Sequence, residues 1–155
     1  MNTPFIAGAI FTIFGLFMLR YAIRRFKKSV ASESWPSVIG QIVTVDLWGN
    51  RNIDGEAKPA MRLNVEYKYK VADSIYTNKG VAFYTLVYPE TMHYAESHPV
   101  NSDVSVYYNP ANPTESVLIP GPRKDGKRHS DLIIGILGTL IGLSVSIAGW
   151  FGFIG

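Results

Sequence analysis

Cysteine is missing from this chain altogether, which removes disulfides, thiolate zinc sites, iron–sulfur clusters and thiol nucleophiles from consideration. Charge is missing from both ends: residues 1–19 and 132–155 hold no Asp, Glu, Lys or Arg. All 12 carboxylates fall between Glu33 and Asp131. No serine stands in a G-x-S-x-G turn, so the nucleophile elbow of many hydrolases is absent too. With 155 residues the chain has room for one soluble domain, and such a domain does not gather its apolar residues at its two ends. A simple cytosolic enzyme does not fit this distribution.

What fills the ends is hydrocarbon. Leu132 to Ile154 (LIIGILGTLIGLSVSIAGWFGFI) runs 23 residues without a charge. About 20 apolar residues cross a hydrocarbon layer of about 30 Å, so residues 132–155 are expected to form a transmembrane helix. The first run, Pro4 to Leu19, is shorter; with Arg20 turning its head to the interface and Tyr21, Ala22 and Ile23 adding a last turn, residues 1–23 form a second span. A cleaved leader would carry its basic residues before the apolar stretch. Here Arg20, Arg24, Arg25, Lys27 and Lys28 come after it, so the segment is expected to be a retained anchor.

Those basic residues also set an orientation. Residues 24–32 form one basic juxtamembrane segment and residues 121–131, with Arg123, Lys124, Lys127 and Arg128, form another. Basic flanks stay on the cytoplasmic side, which places both termini outside and residues 24–131 inside. Both collars are then expected to meet anionic lipid head groups. Residues 33–120 carry six basic and ten acidic side chains, a net of −4, so the pI near 9.1 comes from the flanks. An acidic folded part argues against nucleic acid as a partner.

Small residues recur along both apolar runs: Gly8, Thr12 and Gly15 in the first, and Gly135, Gly138, Thr139, Gly142, Ser146 and Gly149 in the second. Such ridges let helix backbones approach closely, either within a two-helix hairpin or between copies in a homo-oligomer. No ionisable residue lies mid-span, which removes the chemistry that a proton or ion pathway needs.

The middle of the chain, residues 33–120, reads as β structure. Trp35-Pro36 ends the basic flank, and Val38 to Trp48 is a strand. Gly49 to Ala60 clusters Gly, Asn, Asp and Pro and reads as a loop. From Met61 to Val71, six apolar residues alternate strictly with five polar ones, the pattern of a half-buried antiparallel strand. A reversal at Ala72-Asp73-Ser74 leads into Ile75–Asn78, Lys79-Gly80 interrupts, and Val81–Val87 continues the extended run. Pro89 to Ser97 forms a short helix, Asp103 to Tyr108 a strand, Asn112-Pro113 a turn, and Glu115 to Ile119 a last strand. The fold class is therefore membrane α+β: two transmembrane helices flanking a small antiparallel five-stranded β domain, as a curled sheet or an open barrel of the size of OB and SH3 domains.

Several residues in this middle segment carry a likeness. Ser34-Trp35-Pro36 with Gly40, Tyr67-x-Tyr69, Tyr76, the run Val104-x-Val106-x-Tyr108-Asn109-Pro110-x-Asn112-Pro113 and a closing Leu118 together resemble the DUF3592 family. That resemblance implies a bacterial membrane protein with a β domain between two hydrophobic segments, and hence the inner membrane. It supplies no active site. The family often has Gly in the turn where this chain has Asp73-Ser74.

Candidate chemistry is sparse. Gly121 to Lys127 matches the phosphate-loop spacing G-x-x-x-x-G-K, but Arg128 replaces the magnesium-binding Ser/Thr and an apolar run follows, so a basic linker is expected. His93, Glu96 and His98 suggest a metal, yet positions five apart on a helix diverge by about 140° and Pro99 follows. Asp54 and Glu56 lie in a Gly-rich stretch without the remainder of a calcium loop. Tyr67, Tyr69, Tyr76, Phe83, Tyr84, Tyr107 and Tyr108 are expected to pack a core rather than stack bases. No cofactor, metal or catalytic residue is expected. The function read from this pattern is a non-enzymatic, membrane-anchored interaction or scaffold module for an unknown protein partner; the alternative is a protective membrane protein acting against a membrane-inserting toxin.

Overall fold

The computed structural model describes residues 3–124 and 130–151. The described residues form three helices and five strands: α1 (Thr3–Ser32), β1 (Ser37–Ile53), β2 (Glu56–Val71), β3 (Ser74–Asn78), α2 (Glu90–Ser97), β4 (Asp103–Asn109), β5 (Asn112–Val117) and α3 (Ser130–Trp150). They divide into two compact units, one of residues 1–27 and 123–155, the other of residues 28–122. The last turn of α1 is counted with the second unit.

In the first unit, α1 and α3 are long and apolar enough to cross a membrane, with mean hydropathy of 1.9 and 2.0 over their most apolar windows. Their large side chains point outward: Ile13 is 68% exposed, Phe17 66% and Ile141 60%. Small residues take the facing sides instead.

The second unit is a five-stranded antiparallel sheet in the order β3-β2-β1-β4-β5. One face is buried. Its core holds Ile42, Val65, Tyr67, Tyr69, Tyr94, Val104, Val106 and Leu118, supplied by β1, by alternate positions of β2 and β4, by α2 and by the residue that follows β5. In β2 the expected alternation is present: Val65, Tyr67 and Tyr69 are buried while Asn64, Lys68 and Lys70 are exposed. The helix α2 lies over the buried face. Its Thr91 hydroxyl donates to Ala60 O at 2.5 Å, and the Tyr94 ring enters the core and stacks on His98 at 4.1 Å.

The two edge strands are drawn together by side chains. Tyr67 Oη shares a hydrogen bond with Ser116 Oγ at 2.9 Å and donates to Gly80 O at 2.9 Å. Asn78 Nδ2 donates to Thr114 O at 3.0 Å, and Tyr69 Oη donates to Pro113 O at 2.5 Å. The edge of β3 at Asn78 is thereby tied to β5, which blunts an otherwise open edge.

Three expectations are corrected. Gly49 to Ala60 is not a loop: β1 runs on to Ile53 and β2 starts at Glu56, with pairs Asn50↔Pro59, Arg51↔Lys58 and Asn52↔Ala57. Only Asp54-Gly55 turns, at φ of +53° and +85°. A positive φ at both central residues is what an Asp-Gly hairpin supplies, and that local preference outweighs the loop-like composition around it. Val81–Val87 is not a strand, since β3 stops at Asn78 and the next residues form bends. The Asn78 side chain accepts the Lys79 N–H at 2.7 Å and turns the chain away from β2. The last strand starts at Asn112 and stops at Val117, so the turn falls at Pro110-Ala111, where Asn109 Oδ1 accepts the Ala111 N–H at 3.0 Å.

Candidate functional site

The first unit is built around a seam of small residues. A methyl group on Gly15 would lie 2.6 Å from the backbone nitrogen of Thr139, and one on Gly142 would lie 2.5 Å from that of Thr12. At Gly149 it would meet Phe5 N at 2.7 Å, at Gly135 Leu19 N at 3.0 Å, and at Gly8 it would collide with Ser146. These contacts step antiparallel along the two helices every three to four residues, the spacing of one helical face. Gly138 stands apart, for a methyl there would come no nearer than 3.9 Å to Gly15. Thr12 and Thr139 return their hydroxyls to Gly8 O and Gly135 O, each at 2.8 Å, so their polar atoms are satisfied within their own helices. Phe5 and Trp150 pack with ring centroids 5.4 Å apart at the α1 start of the seam.

The basic residues expected as a collar are all on α1 for the first group. Arg20, Arg24 and Lys27 are exposed, Arg25 lies over the Tyr21 ring at 5.7 Å, and Lys28 forms an ion pair with Glu115. Of the second group, Arg123 is half-buried and Lys124 exposed, while Lys127 and Arg128 lie outside the described residues.

Lys28 belongs to a second constellation, within the β domain unit, that sequence reasoning missed. Ser29 Oγ donates to Gly121 O at 2.6 Å, Gly121 N donates to Ser32 Oγ at 2.9 Å, and Ser32 Oγ donates to Ser29 O at 2.6 Å. Both serines are buried. The last turn of α1 is thus bonded in both directions to the backbone that follows β5. Gly121 takes φ +84°, and a methyl there would meet the Glu33 side chain at 2.9 Å. Beside it, burial alone would raise the Glu115 carboxyl, but hydrogen bonds from Lys28 and Asn109 override this and hold it below the ordinary carboxylate range. No sequence signal marked this clasp, because two serines three apart in a helix are common and their partner lies about 90 residues away.

The remaining candidates do not converge. His98 Nδ1 lies 3.0 Å from Tyr94 O, and among the described residues no group of three His, Cys, Asp or Glu is arranged to hold a metal ion. Asp54 and Glu56 sit at the hairpin tip, where Glu56 pairs with Lys58 at 3.2 Å. Gly121 of the phosphate-loop-like run is spent in the serine clasp. Tyr67 and Tyr69 point into the core, with Tyr69 stacked on Tyr76 at 5.6 Å. Burial pushes the Tyr67 and Tyr94 hydroxyls well above their ordinary range, so they stay protonated. An open groove of about 590 Å³ runs beside β2, with Trp48, Arg62 and Tyr84 among its walls. Its Arg62 guanidinium lies over the Trp48 ring at 5.6 Å.

Taken together, these features define a five-stranded antiparallel β domain whose chain leads at each end into a long apolar helix. The chain belongs to the family described as Domain of unknown function (DUF3592), whose model matches residues 38–123, more than half its length. No curated protein and no solved structure matches it.

Proposed function

We propose that this chain is a two-span protein of a bacterial inner membrane that holds its β domain, as a curled, partly open barrel, on the cytoplasmic side, where it serves as a non-enzymatic interaction or scaffold module. The observation that carries the reading is the helix pair: two apolar helices that face each other through small residues and turn their large aliphatic and aromatic side chains outward. In water that arrangement exposes hydrocarbon that folding would otherwise bury, whereas in lipid it is the expected form. Basic residues follow α1 and precede α3 in the sequence, which supports the cytoplasmic placement of the segment between them. The serine clasp supports a scaffold role, since it fixes the last turn of α1 to the domain through buried hydrogen bonds.

The chain has no cysteine, so a single introduced one reports its own side of the membrane. An Asp54→Cys variant is expected to resist an impermeant maleimide in intact cells and to label after permeabilisation. Ready labelling in intact cells would refute the orientation. A toxin-blocking role through the small residues draws no support, because Gly8, Gly15 and Gly142 already face the partner helix of the same chain.

A further inference from the structure

The β domain leaves one sheet face uncovered, and that face is chemically uneven. Paired residues share a face, so the cross-strand rows read directly from the register. Lys70 pairs with Ile75 and Ile39 with Ser105, and the two pairs meet one position beyond the first β1–β2 pair, Gly40↔Tyr69; Thr77, Lys68, Gln41 and Asp103 form the next row. Ile75 is 72% exposed and Ile39 68%, far more than the rest of the domain's aliphatic residues. Lys70 stands between them and Lys68 next to it, and neither lysine has an ion-pair partner among the described residues. Asp103 marks the β4 border of this patch. Toward the hairpin the same face alternates in sign through Glu66, Asp46 and Arg62, with Glu66 already paired to Lys79 at 3.3 Å. The opposite face is covered by α2, which brings Glu90 and Glu96 to that side. Charge on the exposed face is therefore mixed overall, with the two lysines without an ion pair gathered beside Ile39 and Ile75, while Glu90 and Glu96 lie on the α2 side.

We infer that the Ile39–Ile75–Lys68–Lys70 patch is a docking surface for the anionic lipid surface of the membrane that anchors the chain. Two exposed branched aliphatics flanking unpaired lysines combine the apolar contact and the positive charge that an anionic bilayer surface attracts. Seating this patch on head groups also turns Glu90 and Glu96 away from the negative surface. Two anchors raise the effective concentration of lipid at the domain, so a weak patch suffices. The inference rests on the two-span reading, and the experiment separates the two.

The full chain is reconstituted in nanodiscs of phosphatidylcholine, alone or with phosphatidylglycerol, carrying one nitroxide on Ile75→Cys, Glu96→Cys or Ile141→Cys. Collisions with oxygen and with a water-soluble nickel chelate report depth. With phosphatidylglycerol present, Ile75→Cys is expected to favour oxygen while Glu96→Cys stays aqueous. The added pair Lys68→Glu and Lys70→Glu is expected to lower membrane contact at Ile75→Cys by roughly tenfold or more, since each lysine near such a surface matters at the level of about 1 kcal/mol. An aqueous Ile75→Cys in both lipids, or protection indifferent to phosphatidylglycerol, overturns the proposal even when Ile141→Cys lies in hydrocarbon. An aqueous Ile141→Cys overturns the two-span reading and the proposal with it.

Discussion

Ser32 sits fully buried in the last turn of α1, where its hydroxyl accepts the Gly121 N–H and donates to Ser29 O. Replacing it with Ala strands a buried N–H, which costs about 1–3 kcal/mol. Ser32→Ala is therefore expected to lower the thermal midpoint in detergent, whereas Ser34→Ala, which removes only an exposed bond to Ala31 O, leaves it unchanged. Equal midpoints for the two variants would show that the clasp contributes nothing. Glu115 gives a pH signature. Its carboxyl is held below the ordinary value of 4.5, so its contribution is fully present above that value and is lost as the pH falls through the folded one. As the pH falls below the ordinary 4.5, the wild type is expected to lose stability more steeply than Glu115→Gln. Parallel acid limbs would rule out the Lys28 and Asn109 bonds as the cause.

At the scale of elements, the seam separates glycines that sequence alone treats as equals. Gly138 and Gly142 form a G-x-x-x-G pair, yet only Gly142 faces Thr12 closely enough to exclude a side chain. Gly142→Ala is expected to destabilise the helix pair by about 1–3 kcal/mol through overpacking, and Gly138→Ala to change little. Thermal unfolding of the two variants in the same detergent checks this, and equal effects would contradict the pairing. The strand β2 and the helix α2 were legible because each carries its own period: strict alternation from Met61 to Val71, and a proline-led turn before Thr91 and Tyr94. The long hairpin was hidden because Asn50, Asn52, Gly55 and Pro59 look like loop residues one by one, although Asp54-Gly55 is a strong hairpin signal. Val81–Val87 has strand composition, and Val81 O is bonded to a neighbouring segment at Leu118 N and Ile119 N, but no ladder extends from there; pairing is a property of two segments. The small-residue ridges were visible, while their partner was not: nothing in one helix says whether it faces its own chain or a copy.

At the scale of the whole molecule, charge and hydropathy divide the chain into apolar ends, basic flanks and an acidic centre. The two ends and the β domain were readable because each has a composition of its own. The clasp between the end of α1 and Gly121 was not, since it joins residues about 90 positions apart through a few unremarkable atoms. The central claim is that the apolar helices span a bilayer and keep the β domain on the cytoplasmic side. Protease added outside sealed spheroplasts tests it most directly, with epitopes fused before residue 1 and after residue 155. The account predicts that both epitopes are removed while residues 28–122 survive until the membrane is lysed. Digestion of that segment in sealed spheroplasts would contradict it.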